Sequence, residues 1–380
     1  MRVAPEYFFD FLKSLDVDFF TGVPDSTLKE FTTFIETQVP LEKHIVVANE
    51  GNSIALATGY HLATGKIPLI YMQNSGFGNS INPLLSLADP AVYSIPMIIM
   101  VGWRGEKGTK DEPQHKKQGD IQIDLLESLK IPYCIFSQEQ LTYKKIESMV
   151  NNSKEKSCPC VILVKRGTFD KTSQKISQGT KGVGSREATL ELILSNLSDK
   201  DIVVSTTGKT SREIFEIREK NKQSHKKDFL MVGSMGHVSS ISLGIALNLK
   251  NRNVFCIDGD GSFIMHMGAL STIGKLNPSN FRHIVLNNYS HESVGSHKTA
   301  ADSIDILGIA KANNYSYTAR ISSKQNFLKD FDNFKSSEGP SLIEIIVDVQ
   351  TRSSLGRPSI TPKENKGIFM EYLRSASYEK

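Results

Sequence analysis

The chain has 380 residues, long for one hydrophobic core and ample for two domains of ordinary size. With 39% hydrophobic and 23% charged residues and a net charge of +4 spread over interspersed acids and bases, the composition is globular. It lacks the basic, aromatic-interleaved stripe of a nucleic-acid binder, any apolar run long enough for a bilayer, the order of a signal peptide, and cysteine pairs at zinc-ligand spacing. Reduced thiols and a cytoplasmic location are expected, with no nucleic acid and no membrane among the partners.

The opening segment, Met1 to Leu15, reads as an amphipathic helix. Strands are expected at Ile45–Val47, Ile67–Met72, Met97–Val101 and Val161–Val164. Several of these are continuous apolar runs, the mark of parallel strands buried on both faces. Between the first two, Asn52 to Leu62 is helical, with Gly65 as its stop. Lys171 to Ser185 is rich in Ser, Gly, Lys, Gln and Thr and has little to bury, so it reads as a linker. Beyond it the style repeats, with strands at Ile202–Ser205, Phe229–Val232, Val254–Ile257, His283–Leu286 and Leu342–Val347. The fold class is therefore α/β, with two doubly wound, mostly parallel-sheet domains and no middle domain. Their expected limits are 1–168 and 186–365, joined by a linker at 169–185 and followed by a tail at 366–380.

The segment with most chemistry is Val254-Phe-Cys-Ile-Asp-Gly-Asp-Gly-Ser262, followed by a helical stretch and then His283-Ile-Val-Leu-Asn-Asn288. A strand ending at Gly259 places Asp260 at the carboxyl end of a sheet, where open α/β sheets bind ligands. The next strand ends in Asn287 and Asn288. Gly-Asp-Gly alone is a common turn, and Asn-Asn is common loop chemistry. Together they bring hard oxygen donors to adjacent loop tips, which suits Mg²⁺ completed by phosphate oxygens. This pair of motifs resembles the diphosphate-binding signature of the thiamine-diphosphate-dependent 2-oxo acid decarboxylase family.

The resemblance implies thiamine diphosphate and Mg²⁺ as cofactors, with Asp260, Asn288 and the Ser290 carbonyl as metal ligands. Gly259, Gly261 and Ser262 then become cofactor contacts. In Val46-Val-Ala-Asn-Glu50, one glutamate stands at a helix entry, a place the helix dipole alone would favour. Beside the diphosphate motif it resembles the family's glutamate that hydrogen-bonds the aminopyrimidine ring. Met231-Val-Gly-Ser-Met-Gly-His237 is a glycine-rich turn in which Gly233, Ser234 and Met235 would touch the cofactor, Met235 wedging under it. Thr207-Gly-Lys-Thr-Ser211 looks like the end of a P-loop, but the glycine required five positions before Gly208 is Val203. Its backbone could still receive a diphosphate at Gly208, with Lys209 beside it.

Phe20–Ser26, Gln73–Asn79, Gly102–Gly105, Asp111–His115 and His291–Gly295 resemble the short branch of that family, the phosphonopyruvate and sulfopyruvate decarboxylases. What this implies is decarboxylation of 3-phosphonopyruvate to phosphonoacetaldehyde and CO₂ in phosphonate biosynthesis. Sulfopyruvate decarboxylation and 2-oxo acid carboligation are the alternatives. Asp25 is the expected proton relay, and His115, on a polar loop, is an acid-base group. Glu292 follows the metal ligands closely enough to face substrate. Arg104, His297, Lys298 and Arg357 are candidate cations for the substrate anion, Arg357 lying in a basic flap, Arg352 to Pro358. A homodimer or higher homo-oligomer is implied, its active sites shared between subunits.

Overall fold

Each apolar run read as a strand forms one in the computed structural model, which describes residues 2–136, 140–172, 181–350, 352 and 354–377. The chain divides into two units. The first holds β1 (Phe20–Gly22), β2 (His44–Val46), β3 (Leu69–Gln73), β4 (Met97–Trp103), β5 (Tyr133–Phe136) and β6 (Pro159–Lys165). Its sheet is ordered β2-β1-β3-β4-β6-β5, with parallel pairing throughout. The second contains β7 (Ile202–Ser205), β8 (Asp228–Leu230), β9 (Val254–Gly259) and β10 (Phe281–Asn287). A small pair, β11 (Ser290–His291) and β12 (His297–Lys298), precedes β13 (Tyr317–Ile321) and β14 (Ser341–Ile346). The second sheet runs β13-β14-β10-β9-β7-β8, also parallel.

Counted within each sheet, and setting the small pair aside, the strand order is the same: 2-1-3-4-6-5. The sheets share an architecture that the two sequences do not advertise as a repeat. In both, the first and third strands lie side by side, so the order reverses there and a crevice opens at their carboxyl ends. That crevice is where β1 and β3 deliver Asp25 and Gly76 in one unit, and where β7 and β9 deliver Gly208 and Asp260 in the other.

Continuous apolar runs are buried on both faces, as the sequence implies. In β4, Ile98 and Met100 join a cluster with Phe8, Phe31 and Phe136, while Ile99 and Val101 join one with Ile54, Met72 and Leu163. In β9, Phe255 and Ile257 pack on one side and Val254 and Cys256 on the other. The sequence reading missed three sheet strands, each for a physical reason. β1 is only three residues long and ends in glycine. β5 and β13 are sheet edges, half-exposed over most of their length; β5 is only four residues, Tyr-Cys-Ile-Phe, and in β13 Thr318 and Arg320 break the apolar pattern.

The linker is narrower than expected. Phe169 is buried in the first core, and Asp170 N–H donates to Val3 O at 2.8 Å. Val183 is buried and its N–H donates to Ile346 O at 2.9 Å, so the chain has joined the second sheet before Ser185 caps the helix Arg186–Ser195. Residues 173–180 of the expected linker and 378–380 of the expected tail lie outside the described residues. The boundary expected at 366 falls inside the helix Pro362–Ser377. There Phe369 is buried, and Asn365 bonds the Leu230 N–H and the Asp228 carbonyl, so this last helix packs on the second unit. No helix among the described residues is long and apolar enough to cross a membrane.

Candidate active site

In the first unit the helix Glu50–Thr64 begins at the expected glutamate, because Asn49 caps it by accepting the Asn52 N–H at 3.1 Å. Glu50 is buried, and its Oε2 accepts from Asn79 Nδ2 at 2.8 Å. Its other oxygen presses on the backbone after β3. A Cβ at Gly76 would stand 2.0 Å from Glu50 Oε1, so only glycine leaves room for the carboxylate. Asn79 and Gly76 both lie in the resembling stretch Gln73–Asn79, where sequence alone assigned them no role.

Asp25 follows β1 and starts the turn into the helix Lys29–Gln38. Its Oδ2 accepts the N–H groups of Thr27 at 2.6 Å and Leu28 at 3.1 Å, while Oδ1 is buried with no partner among the described residues. Burial pushes its carboxyl up to about 6, against the opposing pull of the Thr27 N–H and the Arg104 charge. Arg104 follows β4 and is not a spare cation. Its Nε and Nη2 grip Asp111 at 2.8 and 2.5 Å, and Nη1 donates to Ser26 at 2.9 Å. Burial disfavours the Asp111 carboxylate, but the Arg104 fork and the Glu112 and Gly105 N–H groups outweigh it and hold that carboxyl well below its usual range. His115 lies in the helix Pro113–Asp120 rather than on a loop, because Pro113 opens a helix there.

The excursion His291–Lys298 also belongs to the first unit. Glu292 opens a short 3₁₀ turn, Glu292–Val294, and is half-buried. His297 corrects an expectation. Its ring is fully buried, with Nδ1 on Glu36 and Nε2 at 3.0 Å from Thr32 Oγ1, so neither nitrogen is left for a substrate anion. His44 sits nearby and bonds Tyr71 OH at 2.8 Å, and burial lowers it to about 4. Burial, with the charge of His297, brings His291 down to about 4 as well. Lys298 is exposed.

In the second unit Ser262 ties the expected pieces together. Its Oγ accepts from Thr206 Oγ1 at 2.9 Å and from the Gly236 N–H at 3.1 Å. It thereby joins the loop after β7, the Gly233-Ser234-Met235 turn after β8, and the helix Asp260–Met265 after β9. Ser234 adopts φ +56° and Met235 is half-buried. Gly208 precedes the helix Lys209–Lys220 with φ +95°, a conformation that favours glycine, and a Cβ there would meet nothing within 4 Å. Gly259 faces the same kind of open space, while Gly261 is buried in the first turn of its helix. Asp260 is buried and accepts from Thr299 Oγ1 at 2.6 Å, and burial pushes its carboxyl up to about 6. Asn288 Oδ1 accepts the Ser290 N–H at 3.1 Å, closing a turn after β10. Ser290 Oγ is buried with no partner among the described residues.

The flap is docked rather than frayed. Arg352 pairs with Glu187 at 2.9 Å and with Glu216, and Glu216 Oε1 accepts the Gly356 N–H at 2.5 Å. Arg212 donates to the carbonyls of Leu355 and Gly356, and Arg357 is exposed beside them.

The donors of the second unit, a carboxylate, an amide oxygen and a turn with an orphaned hydroxyl, are the hard oxygens a small divalent cation takes. The open space at Gly208 and Gly259 suits a diphosphate approaching the backbone at a helix start.

Residues 2–127 match the thiamine pyrophosphate enzyme N-terminal TPP binding domain, and residues 206–345 the corresponding C-terminal TPP binding domain. These two matches define a thiamine pyrophosphate enzyme. A phosphonopyruvate decarboxylase of Streptomyces viridochromogenes is 32% identical to this chain, over 95% of it and 93% of the relative. A sulfopyruvate decarboxylase of Methanosarcina acetivorans is 28% identical, with 96% of each chain covered. The sulfopyruvate decarboxylase subunit beta of Methanocaldococcus jannaschii is 34% identical and covers 49% of this chain with 95% of its own length. The chain belongs to the phosphonopyruvate decarboxylase family of thiamine pyrophosphate enzymes.

Proposed function

We propose that this chain decarboxylates 3-phosphonopyruvate to phosphonoacetaldehyde and CO₂, using thiamine diphosphate and Mg²⁺, as a step in phosphonate biosynthesis in the cytoplasm. The observation that carries the reading is the similarity to phosphonopyruvate decarboxylase along 95% of the chain. The buried oxygen set of Asp260, Asn288 and Ser290 supports the metal part of it.

Thiamine diphosphate, when bound, supplies a carbon nucleophile for the keto group and a sink for the electrons released with CO₂. The chain's own residues do the rest. Asp260, Asn288 and the Ser290 carbonyl would hold Mg²⁺, and the backbone at Gly208 and Gly259 to Ser262 would receive the diphosphate. Met235 would be an apolar contact for the cofactor. Glu50, kept in place by Asn79 and Gly76, would hydrogen-bond the aminopyrimidine ring. Asp25, with its carboxyl near 6, is tuned to carry a proton at working pH. His115 and Glu292 are its candidate helpers, and Lys298 and Arg357 the candidate cations for the phosphonate. The active assembly is a homo-oligomer, at least a dimer, in which Glu50 of one subunit serves the metal end of another.

Parallel assays of the purified chain with phosphonopyruvate, sulfopyruvate and pyruvate, reading CO₂ and the aldehyde, test this reading. Fastest turnover of sulfopyruvate would transfer the assignment to the related decarboxylase. A condensation product formed with an added aldehyde would mark a carboligase.

A further inference from the structure

Glu344 is a carboxylate inside a wholly buried strand, β14, and only 1% exposed. A charge in that position must be paired and hydrogen-bonded to be tolerated. Both of its oxygens are engaged. Oε1 accepts from Asn287 Nδ2 at 2.7 Å, and Oε2 accepts from Arg320 Nε at 2.6 Å. Parallel register brings Arg320 of β13 directly opposite Glu344.

Asn287 is the residue before Asn288. Its Oδ1 accepts the N–H of Tyr289 at 2.9 Å, and Tyr289 takes φ +59°. That left-handed residue turns the chain so that Asn288 Oδ1 can accept the Ser290 N–H. A carboxylate only accepts, so it dictates which way the Asn287 amide faces: nitrogen toward Glu344, oxygen toward Tyr289. A flipped amide would oppose oxygen to oxygen on one side and N–H to N–H on the other. Glu344 thus sets the amide, the amide sets the turn, and the turn presents Asn288 and Ser290.

We propose that Glu344, balanced by Arg320, is a positioning residue for the Mg²⁺ site, acting through Asn287 on the turn that carries two of its three ligands. This rests on the cofactor assignment above. Outer groups that orient metal ligands typically contribute about 10–100-fold in metal affinity.

Calorimetric titration of the full chain with Mg²⁺, at saturating thiamine diphosphate, tests it. Glu344→Gln can satisfy Asn287 or Arg320 but not both. The expected result is Mg²⁺ affinity about 10–100-fold weaker, with an unchanged far-ultraviolet circular dichroism spectrum and with turnover recovered by excess Mg²⁺. Recovery by the metal is what a general packing defect would not show. Arg320→Met, on a half-exposed side chain, should weaken Mg²⁺ toward the lower end of that range, and it alone decides if Glu344→Gln fails to fold. Wild-type Mg²⁺ affinity in the folded variants overturns the inference while leaving the cofactor assignment intact. If the wild-type chain binds neither Mg²⁺ nor thiamine diphosphate, the cofactor assignment falls and this inference with it.

Discussion

Glu50 Oε1 lies 2.0 Å from the point at which any side chain at Gly76 would place its Cβ. No real Cβ tolerates that approach, so Gly76→Ala must move the carboxylate off its position or push the backbone after β3 aside. Turnover is then expected to fall as it does in Glu50→Gln, by about 10²–10⁴-fold, the usual cost of losing one placed acid-base group. Both variants should keep their fold and still bind thiamine diphosphate, because the diphosphate and metal contacts lie on other residues. Rates of CO₂ release and calorimetric cofactor titration measure the two halves of this expectation. Near wild-type turnover in Glu50→Gln would remove Glu50 from the mechanism.

Asp260→Ala should abolish Mg²⁺-dependent binding of thiamine diphosphate. The substitution removes the one charged ligand of the proposed set and leaves the Thr299 hydroxyl, now 2.6 Å from Asp260 Oδ2, without its acceptor. Titration with cofactor and metal together is the measurement. Unchanged affinity would make the Gly-Asp-Gly turn purely structural.

Asp25 links the site to stability through pH. Burial raises its carboxyl from 3.8 to about 6, so the folded chain binds that proton more tightly than the unfolded chain does. The stabilisation is complete below about pH 4 and is lost as pH rises through 6, at a cost of about 3 kcal/mol for the whole shift. Asp25→Asn keeps an oxygen for the Thr27 and Leu28 N–H groups and carries no charge. Its melting temperature should exceed that of the wild type at about pH 8 and converge with it near pH 4, while turnover falls. Identical pH dependence of melting in the two proteins would show that Asp25 is not the buried acid responsible.

What could be read from sequence follows from where the information lies along the chain. β4 and β9 are central strands, and burial on both faces writes itself as an unbroken apolar run, while β10 and β14 are central and still legible around Arg282, His283 and Glu344. β13 is an edge broken by Thr318 and Arg320, and β5 is an edge whose apolar run is only four residues long. Asp260 and Asn288 were legible because each follows its strand directly. Their supporting residues were not, because the partners come from afar. Thr299 reaches Asp260 across 39 residues, Asn79 reaches Glu50 across 29, and Glu344 reaches Asn287 across 57. His297 shows the cost of that blindness most clearly. In sequence it is a histidine beside a lysine in a polar stretch and reads as a substrate cation. The groups that bury and bind it, Glu36 and Thr32, stand 261 and 265 residues earlier. Arg104 is a milder case: Asp111 lies only seven residues on, but no pattern in the intervening loop signals a bidentate grip.

Substrate choice separates the two arginines offered for the anion. A site built to hydrogen-bond a phosphonate leaves those groups unpaired when pyruvate binds, and such sites discriminate by up to about 10⁴–10⁵-fold. kcat/KM for phosphonopyruvate should therefore exceed that for pyruvate by several orders of magnitude, with sulfopyruvate between them because it keeps three oxygens but less charge. Arg357 is exposed on a segment held at its neighbours by Arg212 and Glu216, so Arg357→Ala removes a surface cation from the flap. It should narrow the preference for phosphonopyruvate rather than slow every substrate equally. Arg104→Ala leaves Asp111, 4% exposed, without its guanidinium, which should lower the melting temperature and slow all three substrates together. Steady-state kinetics on the three acids, paired with thermal melts of both variants, give the comparison. If Arg357→Ala slows pyruvate as much as phosphonopyruvate, the flap does not read the anion.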